Sequence, residues 1–576
     1  MNQKLENILN VSLDATEDEL RKADSLSTGY NWRDNTWEII VKYSGSLESI
    51  RNRYNVYIKE LLNYYAIIVA DKATIELISQ EDVIDYVEKP KSLYYQMERT
   101  KTAACVGSVR ADGNILSGKG VIVGVIDTGI DIFDNAFRNS DGTTRILNIY
   151  DQTTGEKYDK QSIDEYIRLN EDLSGGTFSY DNAPGVDNIM HGTDVSYIAA
   201  GSLGVAYEAD IIAVKMGYSI NNQFPRTTSL MDAIDYIIRK AIEYRKPVAV
   251  NISYGCNYGA HNGNTLLESF IDDISKSYRC VICVGSGNEA DKAIHFGGII
   301  NTGQVQTAYL SVGEYQSAID IQIWKNYWDT IDVMLINPRG EQIGIITEGR
   351  INRYETYNTE IITLLGEPSP YNIYQEIYIN LIPKTDYILS GIWQIVLMAG
   401  SIRAGEYNIW LPSSQALGYA TAFNNPTADG TITIPATARN CIAVGAYNAY
   451  TNSYAAFSGR GFDNSIRNVN AGVKPDITAP GVDISIARQR GNDITYRNVT
   501  GTSYAVPVVT GAAALLMQWG IVMGNDRFMY GEKLKAALID GSKPVGLVGI
   551  TRNDNQPDPR TGWGAVCLKN TLNKIL

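Results

Sequence analysis

Four short apolar runs, KGVIVGVIDTG, ADIIAVKMG, PVAVNISYG and CVICVGSGN, each end in glycine or a polar turn, and helical stretches such as LMDAIDYIIRKAIEY lie between them. Strands that are apolar on both faces and alternate with helices predict a parallel sheet covered on both sides. In open α/β sheets of this kind the functional site lies at the carboxyl ends of the strands. The pattern begins near Gly118, stops near Gly298 and resumes at TITIPATARNCIAVGAYN. Between residues 298 and 429 it gives way to the alternating strands AIDIQIW, TIDVMLI, QIGIITE, YNIYQEIYINLI, GIWQIVLMAG and EYNIWLP. Period-two alternation is the signature of half-buried strands, so this block predicts a β-sandwich inserted into a discontinuous α/β unit.

Ahead of the α/β unit, WEIIVKY, SLESIRNRY, NVYIKELLNYYAIIVA, ATIELISQ and VIDYVEKP read as β-α-β-β-α-β, a small α+β fold of its own. The expected organisation is a unit over residues 1–96, the first part of the α/β unit over 97–297, the inserted sandwich over 298–429 and the second part over 430–576. Three or four folding units suit a chain of 576 residues, given a typical domain of roughly 150.

Lys and Arg number 50 against 64 Asp and Glu, a net charge of −14. An acidic chain is poorly suited to neutralising phosphates, so neither sequence-independent nucleic-acid binding nor adhesion to an anionic membrane is expected. The first 25 residues carry acids and no apolar stretch of signal-peptide length, which predicts synthesis without an export signal, in the cytoplasm. The longest apolar run, residues 506–524, is interrupted by Pro507, Thr510 and Gln518 and reads as a buried helix. Six cysteines (Cys105, Cys256, Cys280, Cys283, Cys441 and Cys567) are thinly spread, as where thiols stay reduced. Cys280 and Cys283 form a CxxC within a continuous apolar strand, where cysteine acts as a small hydrophobe. With three histidines, no HExxH and no paired CxxC, no metal or other cofactor is expected.

Three segments fall at the ends of expected elements: VGVIDTGID around Asp127, HGTDVSYIAAG around His191 and GTSYAVPVVTGAAALL around Ser503. Singly, each has a plain structural explanation: a turn former, a helix-capping or surface imidazole, a helix cap. Together they supply the groups an activated hydroxyl needs. Serine is a poor nucleophile at neutral pH, an imidazole must take its proton, and a buried carboxylate must hold that imidazole in the right tautomer. A tetrahedral intermediate also needs donors aimed at its oxyanion, and GSGNE offers the Asn288 amide just after a strand, beside the backbone N–H of Ser503 at a helix start. Taken alone, Asn288 also reads as a turn residue.

On these residues the chain resembles the subtilase family of serine peptidases. VIDTGID is similar to its Asp motif, HGTDVSYIAA to its His motif, GSGNE to its oxyanion Asn motif and GTSYAVP to its Ser motif, in the family's order. NISYG resembles the family strand that pairs with extended substrate, which would place Ser253, Tyr254 and Gly255 along the cleft, although a buried strand end reads the same way. IPATARNCIAVGA, AAFSGRG, VKPDITAPG and TGWGAV extend the likeness to the C-terminus. The chain departs from compact members in its insertion and in a long polar stretch, residues 138–190, and both bear on pocket shape. Some family members bind calcium, but no oxygen-ligand loop with EF-hand spacing is present.

The resemblance implies that the N-terminal unit is an inhibitor-type prodomain whose C-terminus, KSLYYQMERT, threads the cleft, and self-cleavage is expected near the Gln96–Met97 bond. A prodomain, no export signal and an inserted β-sandwich are most similar to the clostridial Csp germination proteases. In that group the insertion is a jelly roll, the cleaved prodomain stays bound and the implied substrate is the zymogen of a spore cortex-lytic hydrolase, so the expected location is the spore. The expected activity is that of a serine endopeptidase with a narrow protein substrate. The alternatives are a silent or inhibited subtilase fold that binds or signals, and a subtilase acting on another intracellular protein.

Overall fold

The computed structural model describes residues 2–92, 94–95, 116–171, 183–217, 224–346, 349–462, 473–490, 493–546 and 557–576. A nine-stranded sheet forms its centre. Its parallel members run in the order Ile477–Pro480, Ile442–Asn448, Cys280–Gly285, Val248–Ile252, Ile122–Asp127, Asp210–Lys215 and Ile146–Asp151. Strands Glu156–Asp159 and Ser453–Tyr454 close its edges in antiparallel sense. Successive side chains alternate between faces, so Val123 and Val125 enter one hydrophobic cluster with helices His191–Ala200 and Thr502–Met517. Ile122 and Ile126 enter the opposite one with helices Thr227–Tyr244 and Leu266–Ser277.

The same alternation disposes of the CxxC. Cys280 lies in one cluster and Cys283 in the other, so their thiols point to opposite faces of one strand. Burial pushes both up to about 12. The apolar run expected as a core helix is the buried helix Thr502–Met517 continued by a π turn, packed against the His191 helix and the central strands.

The β-rich block forms two antiparallel sheets over one core. One sheet runs His295–Ile299, Glu406–Trp410, Ile319–Asn326, Tyr374–Pro383, Thr359–Leu365 and Ile351–Glu355; the other runs Gln342–Ile343, Ile331–Ile336, Gly391–Ala399, Val305–Val312 and Ala422–Phe423. Ile321, Ile323, Ile377, Val333, Leu335, Ile395 and Leu397 meet between them. Its first strand starts at His295, ahead of the expected boundary at residue 298. The paired glycines of HFGGI hide the alternation there, and the strand exists because it pairs with Glu406–Trp410.

The N-terminal unit contains the expected β-α-β-β-α-β series: Thr36–Tyr43, Glu48–Arg53, Tyr57–Leu61, Tyr65–Ala70, Lys72–Ile78 and Ile84–Glu88. Helices Asn7–Asp14, Glu17–Lys22 and Asp24–Ser27 precede it. A capping box starts the second, with the Thr16 hydroxyl accepting from Glu19 N and the Glu19 carboxylate accepting from Thr16 N. Leu9 and Val11 share a core with Ile362, Leu364, Tyr378 and Ile382 of the sandwich, so the N-terminal unit rests on the insertion as well as on the α/β domain. Against the latter, Lys91 N donates to Thr227 Oγ1 at 2.8 Å, Leu266 N donates to Glu88 Oε2 at 2.7 Å, and the Tyr65 ring meets Phe270 edge to face at 5.2 Å.

Tyr65 is buried at that junction and its hydroxyl donates to Asp273 at 3.3 Å. Tyr65→Ala is expected to cost about 3 kcal/mol, the scale for removing a buried aromatic ring. A lowered urea midpoint for the whole chain is the check; a midpoint equal to wild type would show that the ring does not carry the docking.

Candidate active site

Asp127 ends its parallel strand, and its Oδ1 lies 2.6 Å from His191 Nδ1 while accepting from Thr128 N at 2.8 Å. Both side chains are buried. In this contact a carboxylate faces the Nδ1 side of the ring, an arrangement that favours a ring proton on Nδ1.

His191 opens its helix after Met190, whose φ of 66° makes a sharp entry. A buried carboxylate absent from the sequence reading, Asp187, builds this corner. Its oxygens accept from Met190 N (2.7 Å), Thr193 N (2.8 Å), Thr193 Oγ1 (2.8 Å) and Thr128 Oγ1 (2.7 Å), and Thr128 Oγ1 accepts from Gly192 N at 2.9 Å. The Asp127 and His191 loops are thereby cross-linked. Gly192 is required for their approach, since a Cβ there would stand 2.3 Å from Gly129 O. The signal available in the sequence was an aspartate four residues before HGT, the position of a local backbone acceptor.

Ser503 is the second residue of the helix Thr502–Met517, entered through Gly501 with φ 148°. Its neighbours reach the other two sites. The Tyr504 ring packs 5.3 Å from the His191 ring, and Thr502 donates from N (3.0 Å) and Oγ1 (3.2 Å) to Asn288 Oδ1. Because Thr502 N is an obligate donor, the Asn288 amide orientation is determined. Its Nδ2 is buried with no hydrogen-bond partner among the described residues, a donor left available at the start of the serine helix.

The neighbouring Glu289 is also buried and accepts from Ser414 N (3.1 Å) and Oγ (3.2 Å), which anchors the connection between the sandwich strands Glu406–Trp410 and Ala422–Phe423. Burial pushes its carboxyl up to about 7, against the pull of the Ser414 donors.

Ser253 Oγ accepts from Asn251 Nδ2 at 3.0 Å and donates to Ser503 O at 3.5 Å, and Thr510 Oγ1 donates to Asn251 Oδ1 at 3.1 Å. Tyr254–Gly255 forms a two-stranded antiparallel ladder with Tyr94–Tyr95, with Tyr254 opposite Tyr95 and Gly255 opposite Tyr94. The end of the N-terminal unit therefore lies along the strand expected to hold substrate. Gln96 and Met97 lie outside the described residues. The remaining histidines, His261 and His295, stack on Trp410 at 4.1 and 4.9 Å, away from Asp127. Among the described residues no group of three or more His, Cys, Asp or Glu side chains converges on a metal site.

Residues 118–368 and 404–564 match the profile of the subtilase family, and the chain belongs to that family of serine peptidases. Within it the chain is most like the Csp proteases: residues 3–91 match the Csp protease B prodomain. The crystal structure of the Clostridium perfringens CspB protease is 34% identical, with a TM-score of 0.74 over 82% of this chain and 96% of that one. Curated relatives match over shorter stretches. Subtilase-type proteinase RRT12 of Saccharomyces cerevisiae is 33% identical over 128 residues, 22% of this chain and 23% of that protein. Subtilisin-like protease 10 of Arthroderma otae is 34% identical over 120 residues, 21% and 27% respectively. The matched part of this chain thus spans about a quarter of the length of these curated relatives.

Two measurements follow from this geometry. Asn288→Ala is expected to slow fluorophosphonate labelling of Ser503 by about 10²–10³-fold, the figure known for this family's oxyanion asparagine; an unchanged rate would remove Asn288 from the oxyanion site. Glu289 has an ordinary value near 4.5 and a folded value of about 7. Between these the folded chain binds more protons than the unfolded one, so the Glu289 contribution is fully present below pH 4.5 and lost as pH rises through 7. Glu289→Gln should flatten that part of the stability profile in urea titrations. A profile parallel to wild type would contradict the assignment.

Proposed function

We propose that the chain is a serine endopeptidase that cuts itself near Gln96–Met97 and then cuts a specific protein. Ser503 Oγ attacks the scissile carbonyl while His191 Nε2 takes its proton. Asp127 holds the Nδ1 proton and stabilises the imidazolium, and the Asn288 Nδ2 and Ser503 N–H groups receive the oxyanion. Collapse expels the amine, to which His191 returns the proton, and water then cleaves the acyl-enzyme by the same route in reverse.

The observation that carries this reading is the ladder between Tyr94–Tyr95 and Tyr254–Gly255. Strand addition presents a peptide through its backbone, and here the added strand is the chain's own, ending one residue before Gln96. Its protein substrate is proposed from the likeness to the Csp group: the zymogen of a spore cortex-lytic hydrolase, cut during germination by an enzyme made in the cytoplasm and associated with the spore.

Intact mass of purified wild type and Ser503→Ala tests the self-cleavage. The wild type should separate into two fragments meeting near residue 96 and the variant should remain one chain; an uncut, labelling-competent wild type would refute self-cleavage. Incubating the processed protein with cortex-hydrolase zymogens and sequencing new N-termini tests the substrate, and intact zymogens would refute that assignment.

A further inference from the structure

We infer that the hairpin formed by Ile484–Arg490 and Asp493–Val499 is a positioning device for His191, acting through Arg488 and Arg497 on Asp194 and the Met190 carbonyl and through Arg490 on Asp131. This rests on the peptidase reading of Asp127, His191 and Ser503.

In the hairpin register Ile486 faces Arg497 and Ile484 faces Val499 across the ladder. Directly opposed residues and every second residue share a face. The face that buries Ile484, Ile486 and Val499 in the core therefore continues toward the tip as Arg488, Arg490 and Arg497. Arg488 Nε donates to Asp194 Oδ1 at 3.0 Å and its Nη2 to Met190 O at 2.8 Å. Arg497 Nη2 donates to Met190 O at 3.2 Å and also pairs with Asp194 Oδ2. Arg490 Nε donates to Asp131 Oδ2 at 2.7 Å, and Asp131 N donates to Thr193 Oγ1 at 3.0 Å.

Asp194 lies in the first turn of the His191 helix with no exposed surface. A buried carboxylate is tolerated only when paired, and a guanidinium presents its donors to the carboxylate and the carbonyl from separate nitrogens in a rigid planar fork, a spacing that the single nitrogen of an ammonium does not reproduce. Met190 immediately precedes His191, so the clamp acts on the backbone that aims the imidazole. The same hairpin runs through Thr500 and Gly501 into Ser503, and Asp483 N at its base donates to Thr500 Oγ1 at 3.0 Å. One element thus touches the aspartate loop and the histidine helix and leads into the serine helix.

The charged and titratable groups around His191 are Asp127 on its strand, Tyr504 on the serine helix, Asp187 and Asp194 on its own loop and helix, and Arg488 and Arg497 on the hairpin. Removing a guanidinium leaves Asp194 under-compensated, which favours the imidazolium and raises the His191 titration midpoint.

The test uses the full chain carrying Arg488→Met, Arg488→Lys or Arg490→Gln. Labelling by a fluorophosphonate is measured per folded molecule from about pH 5 to 9, across the range where imidazole titrates. In a parallel Ser503→Ala background, the titration of His191 is read by NMR with carbon-13 histidine, its signal assigned by loss in His191→Asn. Arg488→Met should slow labelling about 10²-fold, the scale of a misplaced catalytic group, and raise the His191 midpoint. Arg488→Lys keeps the charge and should keep the midpoint, yet still label more slowly because one nitrogen does not reproduce the spacing of the guanidinium donors. Should Arg488→Met fail to fold, Arg488→Lys and the half-exposed Arg490→Gln carry the test. Variants that melt earlier but label at the wild-type rate with an unmoved midpoint would reduce the hairpin to ordinary packing and overturn the inference. A wild type that never labels, alongside shifted His191 midpoints in the variants, would instead refute the peptidase reading and leave the clamp standing.

Discussion

The parallel register of strands Asp210–Lys215, Ile122–Asp127, Val248–Ile252 and Cys280–Gly285 is the constraint on which the site depends. Parallel neighbours leave the sheet at the same edge, so the residues that follow them converge although their codons are far apart. Asp127 ends one of these strands, and Ser253 and Asn288 follow two others. A shift of one residue in any strand would exchange its two apolar faces and set each side chain against neighbours shaped for another, so the packing on both sides of the sheet maintains the register. Packing that carries no chemistry thereby determines where the chemistry can occur.

Register places the loops, and polar cross-links orient them. Asp187 binds Thr128 and the start of the His191 helix, Asn251 bridges Ser253 and Thr510, and Asn288 holds the first turn of the serine helix. Asp187 and Asn251 are fully buried, and their desolvation is offset by these bonds, so the cross-links cannot be loosened one at a time without cost. The Asn288 Nδ2 lacks a partner among the described residues. A buried donor left open beside a helix start is costly in a structural asparagine and useful in a binding one.

What the sequence revealed follows from which interactions are local. Strand and helix alternation, the two-period insertion and the strand–helix order of residues 36–88 are written in hydrophobic periodicity, and the motif residues were legible because short spacings record sharp turns at strand ends. Tyr504, Glu289 and the hairpin arginines were not, since their partners lie on other elements and nothing at their own positions marks the contact, while Asp187 carried only the mark of an aspartate four residues ahead of HGT. The helices before residue 28 went unread despite the Thr16 and Glu19 pair, because each is too short to show a full apolar stripe. The strand at His295 was hidden by its glycines and is specified by its partner.

The N-terminal unit is held by two kinds of contact with different consequences. One is the ladder in the cleft, backbone against backbone and short. The other comprises the core shared with the sandwich, the Tyr65 and Phe270 pair, and the bonds from Leu266 N to Glu88 at 2.7 Å and from Lys91 N to Thr227 at 2.8 Å. Arg353 of the sandwich adds bonds to Glu19 at 3.1 Å and Asp14 at 2.8 Å. A break at the Gln96–Met97 bond, as proposed above, would leave every contact of the second kind in place. Under that proposal cleavage and release would be separate events, because the insertion extends the surface on which the N-terminal unit sits beyond the ladder in the cleft.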